Sequence, residues 1–539
     1  MNIWNLKNKS VLVVDDYDKM RALMREILAP LAADKIMMAR NGYEAIELLE
    51  KHTIDIVLCD YKLGNGKDGQ QILEEARHRN LLNYNAVFIM ITAENTSKMV
   101  MGAIDYLPDD YISKPFTPSQ LQNRLEKVLN KKAKLDNIAA AINQKNYSSA
   151  IALCEQKLHE SPYGQTEVLK TKGELLIKLG RLDDAEYFYQ TLLKERNIPW
   201  ARLALGQVYF KKSNYGDAAI QFESLMQECP DNIAAQDWLA NTLEKSGEYE
   251  RCQAVLEKTI QKSPKSSTRQ RKLAAIALQN GAFDIAEKAY ESAISEGRNS
   301  CFGNMADISG LVKSMISQEK IEEAKKAIEH IKKNYKKTDE IRLHTALASS
   351  IIHRETNEPE QCKQNLDAAF KLMEMQSIEL DSESALDVTQ TCLAVNNLEL
   401  AGKVVKQLVS NHFDNAKLLD QVKALYEKAG KLDEGEAIIE RSKQEIISIN
   451  NEGVKLAQEG KLEQSINFFA QAAKGMPNNA TINFNAAYSM IRQMQTTGEI
   501  SKYLPLSRQF LEQGHKIDPH NQKYFQLIKL AEELSSKAA

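Results

Sequence analysis

Two adjacent aspartates, Asp15 and Asp16, close the apolar run Val11-Leu12-Val13-Val14, and a third, Asp60, closes the run Ile54-Asp55-Ile56-Val57-Leu58-Cys59. Thr92 follows Val87-Phe88-Ile89-Met90-Ile91, and Lys114 lies within Tyr111-Ile112-Ser113-Lys114-Pro115-Phe116. Three carboxylates gathered at one place repel one another and raise at least one pKa unless a cation is present. A hard divalent ion answers that repulsion, and Mg²⁺ suits a site that keeps several waters and accepts phosphate oxygens. Thr92 adds a hydroxyl donor for a phosphoryl oxygen, and Lys114 adds a compact positive charge. The set reads as a place where a divalent cation and a phosphoryl group meet.

For these residues to meet, each must sit at the end of a strand. The runs Val11–Val14, Lys35–Ala39, Ile54–Cys59 and Val87–Ile91 are short and almost continuously apolar, as strands buried on both faces of a parallel sheet are. Helical patterns lie between them, around Lys19–Leu28, Tyr43–Lys51, Gln70–Asn80 and Ser97–Ala103, with Ser119–Leu129 after the fifth strand. Strand-helix alternation of this kind predicts a doubly wound α/β domain. Ligands in such sheets bind at the carboxyl ends of the strands, near the topological switch point, so the carboxylates converge on one rim.

With the strand ends filled in this way, residues 1–130 resemble a CheY-like receiver domain of bacterial two-component response regulators. The resemblance implies a flavodoxin-like sheet of five parallel strands in the order 2-1-3-4-5. It implies that Asp60 accepts a phosphoryl group from a phosphohistidine. It also implies that Asp15, Asp16, Asp60 and the backbone carbonyl of Lys62 hold Mg²⁺, while Thr92 and Lys114 bind the phosphoryl oxygens. Tyr111 becomes the aromatic that changes rotamer on activation, together with Thr92, and the Lys114–Pro115 peptide is expected to be cis. One stretch departs from the family: Leu63-Gly64-Asn65-Gly66-Lys67-Asp68-Gly69 lacks the usual proline and is one residue longer. Lys62 and Glu94 flank the site, where they would tune the lifetime of the acyl phosphate through access of water.

From about residue 133 the strand signal ends and a helical repeat of about 34 residues takes over. Gly173, Ala185 and Tyr189 recur as Gly206, Ala218 and Phe222, closed by Pro230. They recur as Ala240, Cys252 and Leu256, as Ala274, Ala286 and Tyr290, and later as Gly453, Ser465 and Phe469 before Pro477. Small residues let two helices approach, and the aromatic fills the gap to the next pair. This pattern resembles tetratricopeptide repeats, which implies an all-α superhelical solenoid over residues 131–520 of about eleven helical hairpins. The pattern is degenerate at 300–445, where Glu355–Glu360 reads as an inserted loop. Residues 521–539, with the amphipathic Gln522–Ser535, read as a capping helix.

Composition excludes several alternatives. With 70 basic against 73 acidic residues the net charge is −3, which gives no reason to expect a nucleic-acid partner. No run approaches the length of a membrane span, and the N-terminus lacks the apolar core of a signal peptide, so a cytoplasmic protein is expected. The seven cysteines form no Cys-x-x-Cys pair, Cys59 reads as core, and the isolated histidines have no metal-ligand spacing. Lys131-Lys132 and Lys332-Lys333 read as solvated faces, and the aromatics Tyr187, Tyr189, Tyr209, Phe210, Tyr215 and Phe222 as packing between helices.

No output enzyme is expected beyond the receiver's own phosphorylation and autodephosphorylation, so output falls to protein binding by the repeats. The expected partners are a sensor histidine kinase or phosphotransfer protein and an unidentified protein or peptide on the repeats, with a homodimer left open. A competing reading is a constitutive scaffold whose receiver is a phosphate sink or kinase-docking module. Because Ser119–Tyr163 holds no glycine, the last receiver helix is expected to run on into the first repeat helix near Lys134–Gln144. Phosphorylation would then reach the solenoid through the face built on the fourth and fifth strands.

Overall fold

Five parallel strands, β1 (Ser10–Val14), β2 (Lys35–Ala39), β3 (Ile56–Asp60), β4 (Val87–Thr92) and β5 (Asp110–Ser113), form one sheet in the order β2-β1-β3-β4-β5. The computed structural model describes residues 6–93, 107–160, 165–335, 338–376, 378–519 and 521–538. The chain divides into two compact units, Met1–Asn304 and Met305–Ala539. The expected helix at Ser97–Ala103 lies outside the described residues.

Both faces of the sheet are covered, which is why its strands read as unbroken apolar runs. Leu12, Val14, Val57, Cys59, Phe88 and Met90 pack under helices α2 (Gly42–Lys51) and α3 (Gly69–His78). The alternate residues Val11, Val13, Ile56, Leu58, Ile89 and Ile91 pack under α1 (Asp18–Leu28) and α4 (Pro118–Ala133). Capping residues set where these helices start. Asp68 and Gln71 form a reciprocal capping box at α3, and Thr117 and Gln120 form one at α4, with Pro118 in its first turn.

The expected continuous helix between receiver and repeats does not form. α4 ends at Ala133, Leu135 adopts φ −109° and ψ 4°, and a new helix starts at Asp136. Leu135 is buried in the repeat core with Ile138 and Tyr147, and turning it inward breaks the helical register. Lys132 is likewise not a solvated residue, since it pairs with Asp109 at 2.9 Å. Lys131 pairs with Glu167 at 3.1 Å.

In the first unit helices then pair as hairpins: Asp136–Asn143 with Tyr147–Glu160, Thr166–Lys178 with Leu182–Glu195, Pro199–Lys211 with Tyr215–Glu228, Ile233–Ser246 with Tyr249–Lys262, and Ser267–Gln279 with Phe283–Gly297. The recurrent glycines make the close approach possible. A Cβ on Gly206 would lie 2.5 Å from the Phe222 ring, and one on Gly453 would lie 2.4 Å from Phe469. Each ring also reaches the next pair, as Phe222 does by stacking on Trp238 at 6.3 Å. Gly206→Val should therefore destabilise the repeats by about 1–3 kcal/mol through overpacking. A matched loss of urea midpoint in the full chain checks this, and an unchanged midpoint contradicts it.

In the second unit, Glu355–Glu360 is not an inserted loop. It holds the short turn between Asp339–Glu355 and Pro359–Gln376, with Asn357 at φ 57°. Leu432–Gln458 is one continuous 27-residue helix. The final helix, Gln522–Ala538, packs against Ala480–Thr497 and Ile500–Ile517 through Tyr524, Leu527, Ile528 and Ala531. No helix among the described residues is long and apolar enough to cross a membrane.

Candidate functional site

Strand geometry delivers Asp15, Asp60, Thr92 and Lys114 to one rim. Val14 pairs with Cys59, Asp60 with Ile91, and Thr92 with Ser113, so the next residues of β1 and β5 stand beside the ends of β3 and β4. The Lys114 N–H donates to the Thr92 carbonyl at 2.7 Å, which ties the ends of β4 and β5 together. The Lys114–Pro115 peptide is cis.

The Lys114 ammonium donates to Asp15 Oδ2 at 2.8 Å and to Asp60 Oδ2 at 2.7 Å. Carboxylate oxygens of Asp15, Asp16 and Asp60 all lie within 4.8 Å of one another. Asp15 and Asp60 are buried and Asp16 is exposed, so the cluster opens to solvent on one side. Three carboxylate oxygens at this spacing form an all-oxygen donor set that fits a hard divalent cation.

Burial pushes the Asp60 carboxyl above its ordinary pKa. The hydrogen bond and charge of Lys114 pull it back, Asp15 pushes it up again, and a bond from the Lys62 backbone N–H lowers it. Burial works against the Lys114 charge, but its bonds to Asp15 and Asp60 outweigh that and hold its pKa above the usual lysine value. Cys59 is fully buried, and burial pushes its thiol up, as befits a core residue rather than a nucleophile.

Tyr111 packs against the core under α2 and α3, and its hydroxyl is buried without a hydrogen-bond partner among the described residues. Burial raises that hydroxyl's pKa to about 12. Lys62 is exposed beside Asp60, and Glu94 lies outside the described residues.

Several contributors were not singled out from the sequence. The Tyr17 backbone N–H donates to Asp15 Oδ1 at 2.9 Å, and Arg21 donates to the Asp15 carbonyl. Gly64 approaches Asp16 so closely that a Cβ would lie 3.2 Å from Asp16 Oδ2, and Gly69 packs on the Asp60 carbonyl. Gly64 and Gly69, two of the three glycines in the departing loop, were the available signal.

Comparison with known protein families places two parts of the chain. Residues 11–126 match the response regulator receiver domain, and residues 170–233 match the tetratricopeptide repeat. The chain is 32% identical over 122 residues to the chemotaxis protein CheY-3 of Vibrio cholerae, covering 23% of this chain and 92% of that protein. It is 32% identical over 120 residues to a chemotaxis protein CheY homolog of Campylobacter jejuni, covering 22% of this chain and 91% of that one. A CheY-like receiver domain solved from Methanospirillum hungatei covers 23% of this chain and 97% of its own at 24% identity, with a TM-score of 0.22.

Proposed function

This chain belongs to the CheY-like response-regulator receiver family, with tetratricopeptide repeats after the receiver, and from that premise we propose that it is a phosphorylation-controlled regulator of protein binding. The observation that carries the reading is Lys114 bridging Asp15 and Asp60, with Asp16 beside them, at the carboxyl ends of the strands. A sensor histidine kinase or phosphotransfer protein presents a phosphohistidine. An Asp60 carboxylate oxygen attacks phosphorus, the P–N bond breaks as the P–O bond forms, and the imidazole nitrogen leaves with the electron pair and takes up a proton.

Lys114 neutralises charge on the transferred group, and the Thr92 hydroxyl donates to a phosphoryl oxygen. Mg²⁺ held by Asp15, Asp16, Asp60 and the Lys62 carbonyl would neutralise the phosphoryl oxygens and lower the repulsion they meet. Attack of water on phosphorus later releases phosphate and restores the carboxylate. No other turnover is assigned to the chain. Tyr111 couples the site to the surface, because a rearrangement that gives its buried hydroxyl a partner recovers about 1–3 kcal/mol. The repeats bind a protein or peptide partner in the cytoplasm, and the receiver's state sets that affinity.

Acetyl phosphate with Mg²⁺ should place one phosphoryl group on the full chain at Asp60, seen by intact mass and peptide mapping, and chelation by EDTA should abolish it. Incorporation that is indifferent to EDTA, or absent with Mg²⁺ supplied, would sink the proposal.

A further inference from the structure

The loop that departs from the family pattern is also the loop that grips the repeats. Gly64 and Gly66 adopt φ of 65° and 114°, which an L side chain rarely tolerates. The turn carries Lys67 across α2 at Gly42, where a Cβ would stand 2.5 Å from that of Lys67. From there the Lys67 ammonium pairs with Glu75 at 2.7 Å and donates to the Asn299 carbonyl at 2.8 Å. Asn299 Nδ2 donates back to the Gly66 carbonyl at 3.0 Å, and the Tyr43 hydroxyl donates to Asn299 Oδ1 at 3.4 Å. Beside this clamp Gln71 Nε2 donates to the Glu296 carbonyl at 3.5 Å, and His78 meets Phe302 edge-on at 5.0 Å. Asn299 and Phe302 lie just after the fifth hairpin of the first unit.

The same loop is anchored on Asp60 at both ends. At one end the Lys62 N–H bonds the Asp60 carboxylate. At the other the Gly69 N–H donates to the Tyr61 carbonyl at 2.9 Å, and a Cβ on Gly69 would lie 2.4 Å from the Asp60 carbonyl oxygen. A cleft of about 430 Å³ lined by Tyr61, Gln71, Trp238, Lys265 and Phe302 lies alongside, so this contact borders open space rather than a close-packed core. Contacts of that kind reopen at modest cost.

We propose that the loop after Asp60 transmits phosphorylation to the repeats directly: a phosphoryl group on Asp60 loosens the Lys67–Asn299 clamp and releases residues 296–302. The inference rests on Asp60 being the phospho-acceptor. It replaces the route through a continuous helix, which the break at Leu135 removes. A phosphoryl oxygen takes over the Lys62 N–H from the carboxylate, which shifts one anchor of a loop whose glycine turns and packed Gly69 leave little slack. Coupling is reciprocal for equilibrium free energies, so loosening the clamp by mutation favours the phosphorylated state over the free one.

The test uses the full chain with acetyl phosphate and Mg²⁺, reading hydrogen exchange at residues 296–302 and the steady phosphorylated fraction by intact mass. Wild type should exchange faster at 296–302 once phosphorylated. Asn299→Ala should show the fast exchange without phosphorylation and raise the ratio of phosphorylated to free chain about fivefold. Lys67→Met, which keeps the stem over Gly42 and loses the ammonium, should do the same and guards against a folding defect in the first variant. Unchanged exchange at 296–302 in chain shown to be phosphorylated, or a lower phosphorylated fraction in both variants, overturns this inference alone. Absence of any phosphoryl group on wild-type Asp60 overturns the function it rests on as well.

Discussion

Asp60→Asn should abolish phosphoryl incorporation from both acetyl phosphate and a phosphohistidine donor while the chain stays folded. The amide oxygen that replaces the carboxylate is neutral and holds no nucleophilic lone pair comparable to that of an anion, so no acyl phosphate forms. The substitution also has a pH signature whose sign is set by burial. The folded pKa of Asp60 is raised, chiefly because burial disfavours its charge. The folded state therefore binds more protons than the unfolded state between the ordinary aspartate value of 3.8 and the raised one. Across that window this group makes stability fall as pH rises, and below it the penalty is absent. Asp60→Asn should lack that fall, so denaturation midpoints of variant and wild type should diverge in the variant's favour as pH rises through the window. Parallel pH profiles would contradict the raised pKa. Phosphoryl incorporation by the variant would contradict the assignment of the acceptor. The variant also separates switch from scaffold: a switch loses phosphorylation-dependent partner binding, whereas a constitutive scaffold binds as before.

Lys114→Met should slow phosphoryl incorporation by about 10²-fold, the scale on which one preorganised charged donor contributes to a transferring group. The ammonium meets Asp15 and Asp60 at 2.8 Å and 2.7 Å, and its removal takes away the positive charge that the two carboxylates share. Here the sign of the pH effect is opposite to that of Asp60. Bonds to the two carboxylates overcome the cost of burial and hold the Lys114 pKa above 10.5. Its stabilisation is fully present below that ordinary lysine value and is lost as pH rises through the folded one. The stability gap between wild type and Lys114→Met should accordingly be widest near neutral pH and close in alkali. A gap that stays constant into alkali would mean that packing of the stem, not the charge, is what the lysine contributes.

Much of the receiver was legible because its information is local and periodic. A parallel sheet buried on both faces demands unbroken apolar runs, and the residue just past each run must stand on the carboxyl rim. The places of Asp15, Asp60 and Thr92 follow from that rule alone, and the observed registers bring them together with Lys114. The repeat signature was readable for a similar reason, since only glycine fits opposite Tyr189 and Phe222. Reading failed where two local descriptions competed. Nothing between Ser119 and Lys134 breaks a helix by composition, yet burial of Leu135 in the repeat core ends α4 there. Glu355–Glu360 read as an insertion in the stretch where the repeat spacing slips, but Asn357 in the left-handed region closes a tight turn between two long helices.

By itself the sequence determined the two folds and the chemistry of the acidic rim, because alternation of strands and helices and residues at strand ends are short-range properties. Only the tertiary structure decided which face of the receiver the repeats touch. Lys67 and Asn299 are 232 residues apart, and their contact depends on the accumulated rise and turn of five hairpins, a sum that no local pattern records.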